Sequence, residues 1–361
     1  MGDIIVLAPK FLNELNMLPE SKLSSTAALV YSVMGRYTGV DLLLRDHLTL
    51  DICRGSFGRS IYENSSTAKF LPRMAEELKT AMTEKFSQNT SKEPVVFIAY
   101  DVLFSFINLV SSLVFVGKTF CENPIWQTAL IDLPVNVEIT KFILLPFPDF
   151  LQRFIAPLIP QRNRIFRQRA AVRDLLFPPS DKIAAGEEPS VMKLLIESGK
   201  DGDPDSLAAR LLLLTAAALH TSSMAITNAI FDLCAMPEYI EPLRSEVKEA
   251  LSREDGQWRL STIQRLRRLD SFLKESQRLN HSTFLGFHRK VVSPIELSDG
   301  KTLLVTGASI AIPGGPMSLD SRFYEGAHDF NGLRFYRTER GDAGSANTQL
   351  DYTGIEPGNI S

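Results

Sequence analysis

Three groups of residues have types and spacing suited to doing chemistry, or to holding it in place. The first is Ala216-Ala217-Ala218-Leu219-His220-Thr221-Ser222. Small side chains in mid-helix let another group approach the backbone, and a threonine there can turn its hydroxyl inward. The same hydroxyl can instead bond back to the carbonyl one turn earlier. The second group is Glu275-Ser276-Gln277-Arg278, a carboxylate and a guanidinium three residues apart on one helix face. Glu241-Pro242-Leu243-Arg244 has the same spacing, so the motif alone reads equally well as a surface ion pair. The third is Phe330-Asn331-Gly332-Leu333-Arg334-Phe335, whose arginine can be an exposed loop residue or can reach back to Glu275. A buried glutamate held by two arginines would pin a loop against a helix, provided every partner is paired.

Other chemistries lack their residues. The sequence has no G-x-G-x-x-G, no P-loop, no G-x-S-x-G elbow and no H-E-x-x-H. Its histidines show no ligand spacing. Asp201, Asp203 and Asp205 mimic a calcium loop, but Pro204 and the non-glycine Ser206 oppose it, and acids at a helix N-terminus explain them better. The 3 cysteines, Cys53, Cys121 and Cys234, are far apart and read as buried thiols in a reducing compartment. Sequons at Asn64, Asn89, Asn280 and Asn359 matter only in the secretory lumen. Asp3, Lys10, Glu14 and Glu20 rule out a signal peptide over the first twenty residues.

The elements that must position these groups are mostly helices. Asp203 caps and Pro204 opens a helix that runs to about Met236, where Pro237 ends it. Its length is roughly 45 Å, and being apolar nearly all round it should run through the middle of the protein. Amphipathic spacing predicts a helix over 71–86 with Pro72 in its first turn, and further helices at 238–251 and about 269–279. Val95–Val116 is long enough to span a bilayer, but Asp101, Asn108 and three serines favour a buried helix. Arginines recur from Pro148 to Pro179, a pattern of a solvated helix face or of contact with an anionic membrane surface. A polar loop follows at 180–190. Short strands are expected at 287–292, 295–297, 303–305 and 309–312, with a turn at Ser298-Asp299-Gly300. From Pro313 onward the chain reads as irregular. The fold class is therefore mainly α with a small β region.

Composition agrees. With 39 Lys and Arg against 42 Asp and Glu the net charge is −3, which excludes a strongly basic nucleic-acid binder. Hydrophobic residues at 44% and charged residues at 22% are those of a globular chain with a sizeable core. The 22 phenylalanines favour large apolar packing.

Taken in order, the long helix with small residues before Thr221, then E-x-x-R, then F-x-x-x-R-F, resembles the cytochrome P-450 haem-thiolate monooxygenases. The likeness extends over essentially the whole chain as one domain, residues 1–361, with a helical part at about 20–280 and a small sheet and meander at about 285–340. It is closest to fungal secondary-metabolism members, through the A-A-x-H-T-S run, the continuation Asp232 to Arg244, Leu297 to Lys301, Phe115-Val116-Gly117 and Cys121 to Trp126. The resemblance implies that Thr221 and His220 occupy the oxygen-activation positions and that Glu275, Arg278 and Arg334 form a structural triad. It places His288 and Arg289 where a haem propionate partner is found. It also implies haem as cofactor, a flavin-containing reductase and an apolar small molecule as partners, and no nucleic acid. The family's iron ligand is a cysteine in a glycine-rich loop, and none of the three cysteines matches it. The expectation is a cytochrome P-450 fold incomplete at both ends, without its membrane anchor, cytoplasmic if stable, not binding haem and inactive as written. An incomplete gene model of an active enzyme, or a non-catalytic helical protein that binds an apolar ligand, are the other readings.

Overall fold

Several helices start where the sequence supplies a side-chain acceptor for their unpaired amides. In the computed structural model, which describes residues 3–44, 67–87, 96–178, 190–198 and 202–336, the helices used below are α1 (Ser25–Ser32), α2 (Thr67–Ser87), α3 (Ala99–Val116), α4 (Pro124–Leu144), α5 (Asp149–Ile155), α6 (Pro160–Leu176), α7 (Val191–Ser198), α8 (Pro204–Ala235), α9 (Ile240–Ser252), α10 (Arg267–Leu279) and α11 (Gly314–Ser318), with shorter turns of helix between them. The strands are β1 (Ile4–Val6), β2 (Leu23–Ser24), β3 (Gly286–Val291), β4 (Ile295–Glu296), β5 (Leu303–Leu304) and β6 (Ser309–Ile312). The chain is thus mainly α with small sheets. Asp203 takes the amides of Asp205 and Ser206, and Pro204 fills the first position of α8. Ser24 and Asn123 cap α1 and α4 in the same way.

The chain divides into two compact units, one of His47–Leu269 and one joining Met1–Asp46 to Asp270–Ser361. In the first, α8 packs along α3, α6 and α4. Trp126, Leu130, Leu144, Val172, Leu176, Leu211 and Leu219 are fully enclosed there. Of the polar groups that argued against a membrane reading of α3, Asp101 is exposed, while Asn108 and Ser112 are buried and bonded internally. Ser112 accepts from the Trp126 indole at 3.0 Å and donates to Asn108 at 3.2 Å, while Asn108 and Gln127 bond side chain to side chain. By length and composition alone, α3 and α8 are both long and apolar enough to cross a membrane. The buried face of α8 lies mostly in its N-terminal half, and Met224, Ile230 and Phe231 are exposed. The expectation of all-round burial holds only for that first half.

The second unit is built on a four-stranded sheet in the order β1-β6-β3-β2. β1 runs parallel to β6, with Ile4 opposite Ser309, and the other pairs are antiparallel. Leu7, Phe11, Leu15, Leu23, Val291 and Ile310 form its core. β4 and β5 make a separate hairpin. Its turn closes on Asp299, whose carboxylate accepts from the amides of Lys301 and Thr302, both at 2.9 Å, with Gly300 at φ 63°.

Two helix-level expectations need correction. α2 starts at Thr67, so Pro72 lies inside the helix, one turn later than its first-turn reading. Cys234 is exposed at the end of α8, whereas Cys121 is buried. Cys53, His47 and residues 337–361 lie outside the described residues.

Candidate functional site

Glu275 is completely buried on α10 and accepts hydrogen bonds from three donors. Arg278, one turn on, donates Nε to Oε2 and Nη2 to Oε1, each at 2.8 Å, in a two-point grip. Arg334 donates Nε to both carboxylate oxygens at 3.0 Å. The Asn331 amide is the third donor, to Oε1 at 2.9 Å. Burial pushes the Glu275 carboxyl pKa up. The bonds from Arg278, the Asn331 amide and Arg334 outweigh it and hold the group below the usual carboxylate range.

The arginines use their remaining N–H groups on backbone carbonyls. Arg278 donates to Ser318 O at 2.6 Å, to Ala327 O, and to Asp329 O at 3.2 Å. Arg334 donates to Glu325 O, to Gly326 O at 3.2 Å and to Asp329 O at 3.1 Å. An irregular stretch with no ladder of its own thereby has its carbonyls satisfied by two cations, and those cations are satisfied by one carboxylate. The Tyr324 ring lies 5.2 Å from the Arg278 guanidinium, and the Phe272 and Phe330 rings are 5.2 Å apart. Ser271 accepts from the Phe335 amide at 3.0 Å.

Sequence reasoning brought Glu275, Arg278 and Arg334 together. It missed the Asn331 amide, Ser271 and every carbonyl partner. The Asn331-Gly332 turn signal just before Arg334 was the available clue, because Asn331 Oδ1 takes the Leu333 amide at 3.0 Å and shapes the turn.

His220 and Thr221 stand side by side on α8. The Thr221 hydroxyl bonds back to Ala217 O at 2.8 Å, and the side chain is exposed. The His220 ring lies against Phe104 of α3 with centroids 5.3 Å apart. Its Nε2 is buried without a partner, and burial holds the imidazole pKa below its ordinary value. It is therefore a neutral ring with one unspent polar atom.

His288 and Arg289 are neighbours on β3, so their side chains leave opposite faces of the strand. His288 is exposed, its Nε2 3.0 Å from Leu285 O. Arg289 folds over the Phe287 ring at 4.1 Å. Phe287 has φ 50° at a register shift in the pairing of β3 with β6, a strained point that turns this part of the strand.

Neither of the two cysteines among the described residues fits the thiolate ligand of a haem iron. The Cys121 thiol is buried and lies 3.5 Å from Lys118 O, and burial raises its pKa, which opposes thiolate formation. Cys234 sits on the solvent side of the end of α8. Among the described residues no group of three or more His, Cys, Asp or Glu side chains could hold a metal ion.

Comparison with known proteins identifies the family of the sequence. The sequence is 33% identical over 355 residues to cytochrome P450 monooxygenase olcJ of Penicillium canescens, covering 95% of this chain and 65% of that protein. It is 34% identical over 369 residues to cytochrome P450 monooxygenase AtmP of Aspergillus flavus, covering 98% of this chain and 67% of the other. An ent-kaurene oxidase of Gibberella intermedia is 31% identical over 353 residues, 96% of this chain and 65% of its own length. The chain thus spans about two thirds of the length of these curated relatives. The family pattern of cytochrome P450 matches residues 54–350, and with that match the chain belongs to the cytochrome P450 family.

Proposed function

We propose that this chain carries most of the fold of a haem-thiolate monooxygenase of fungal secondary metabolism, acting on an apolar small molecule with electrons from a flavin-containing reductase. The relatives support the reaction class, two of them being named monooxygenases and a third an oxidase. In that family a cysteine thiolate on haem iron supplies the electron density that favours O–O cleavage. The observation that carries the finer reading is the state of the cysteines. Cys121 is a buried thiol 3.5 Å from Lys118 O whose pKa burial raises, Cys234 is an exposed residue at a helix end, and Cys53 lies far upstream in the sequence. We therefore infer that these 361 residues alone do not ligate haem iron and are inactive in oxygen chemistry. Their own contribution is the Glu275 network, which fixes the meander against α10.

The test is a spectrum of the dithionite-reduced chain under carbon monoxide, after expression with added haem. Absence of the red-shifted Soret band of thiolate-ligated haem is the expected result. Its presence would mean that a cysteine does reach iron and would end the inactive reading. Binding of an apolar ligand to soluble, haem-free protein would instead support a non-catalytic role.

A further inference from the structure

One titratable side chain sits in the middle of α8. Between Arg210 and Asp232 the helix carries no acid, base or thiol other than His220. Its ring packs 5.3 Å from the ring of Phe104 on α3, and the ring of exposed Tyr100 follows 5.7 Å beyond Phe104. This row of three rings joins the middle of α8 to the first two turns of α3. The helix backbone is fully bonded at this level. The Thr221 hydroxyl donates to Ala217 O at 2.8 Å, and Ser223 donates to Leu219 O at 2.7 Å.

The row lacks an acceptor. His220 Nε2 is buried without a hydrogen-bond partner among the described residues. A neutral imidazole tolerates this, because it can carry its one proton on Nδ1 and leave Nε2 bare. A second proton must go to Nε2, where nothing receives it, and the ring then brings a full charge into an apolar contact. The tilted ring of Phe104 offsets only part of the hydration lost. No nearby charge helps. Tyr100 and Asp101 are the titratable side chains of α3. On the other helices packed along α8, Asp132 accepts from Gln168 at 2.9 Å, Lys141 pairs with Glu138 at 2.7 Å, Arg169 pairs with Asp205, and Lys193 is engaged as well. Burial is the one cause acting on the imidazole.

We propose that His220 is an acid-released latch: neutral, it holds the start of α3 against the middle of α8, and protonated, it leaves Phe104 for solvent and loosens the turn of α8 that carries Thr221. The sign follows from the two states. The released ring takes its proton at the ordinary histidine value of about 6.5, and the packed ring only at lower pH. The latch is therefore closed at neutral pH and opens as pH falls below that value. The Glu275 network responds only below the ordinary carboxylate value of about 4.3, so the two acid effects occupy separate windows.

Amide hydrogen exchange of the full chain at about pH 7.5 and about pH 5.5, corrected for intrinsic rates, tests this. Segments 99–107 and 216–224 should lose protection at the lower pH by up to about tenfold, the factor by which a released group of pKa about 6.5 then favours the open form. Segment 270–279 of α10 should keep its protection. His220→Phe keeps a ring against Phe104 and has no proton to take up, so its protection should be the same at both pH values. His220→Gln, neutral throughout, should be equally flat. His288→Gln removes an exposed histidine from β3 and should lose protection as the parent does. The parent's own comparison stands even where a variant does not fold. Unchanged protection of 99–107 and 216–224 in the parent, an equal loss over 270–279, or a His220→Phe chain that loses protection as the parent does would overturn the proposal.

Discussion

Two E-x-x-R pairs sit on two helices of this chain and meet opposite fates. Glu241 and Arg244 on α9 form a 2.9 Å ion pair with their side chains 73% and 64% exposed. Glu275 and Arg278 on α10 form a 2.8 Å pair with side chains 0% and 3% exposed. Spacing, residue types and contact distance are the same. The difference lies in what else arrives. The first carboxylate has water around it, while the second also receives Arg334 and an amide from a segment more than fifty residues later. The helix face around Glu275 is itself unusual, since Ser271, Phe272, Ser276 and Arg278 are buried with it. A pair of charges becomes structural only when the desolvation of both is offset by further partners, which spacing alone cannot guarantee.

Several substitutions would break or sharpen this contrast. Glu275→Ala leaves two buried guanidiniums without their anion and should cost about 3–5 kcal/mol, read by urea unfolding or, if the chain no longer accumulates, by soluble yield. Arg334→Ala removes one cation from a carboxylate that keeps the other and should cost about 2–4 kcal/mol. It should also make the meander around Glu325 to Asp329 cleavable by protease before the helices are. Arg278→Lys keeps the charge but loses the two-point grip and the carbonyl contacts, at about 2 kcal/mol. Arg244→Lys should leave the unfolding curve unchanged.

Acid separates the pairs in another way. The folded Glu275 pKa is held below its unfolded value, so its contribution is present at neutral pH. It is lost as pH falls from the unfolded value of about 4.3 through the folded one. Glu275→Gln should flatten that part of the stability–pH curve, and Glu241→Gln should leave it intact. Glu241→Ala should likewise be small, within about 0.5 kcal/mol of zero and vanishing in high salt. A larger loss there would mean that spacing alone carries more than the comparison allows.

What was legible in the sequence follows from the range of the interactions involved. α8 was legible because its limits are local, with Asp203 and Pro204 at one end and Pro237 just past the other. The turn at Asp299 was legible for the same reason. β1 and β2 were not, because strands of 3 and 2 residues carry no periodicity and exist only through distant partners. The triad was legible in its side chains and invisible in its carbonyls, since an irregular backbone leaves no pattern to read. Cys234 was misread because cysteines are usually interior, and here it falls on the outward side of a helix end.

The parallel pairing of β1 with β6 also sets a clock. Ile4 and Ser309 lie opposite each other, so β1 leaves the ribosome and waits for a partner made about 300 residues later. At about 5–20 residues per second that interval is roughly 15–60 s. Throughout it Ile4-Ile5-Val6 has neither its hydrogen-bonding neighbour nor much of the core beneath it. An apolar strand with an open edge is the kind of segment that pairs with whatever strand it meets. A cell that makes this chain must therefore shield this strand until β6 has been made.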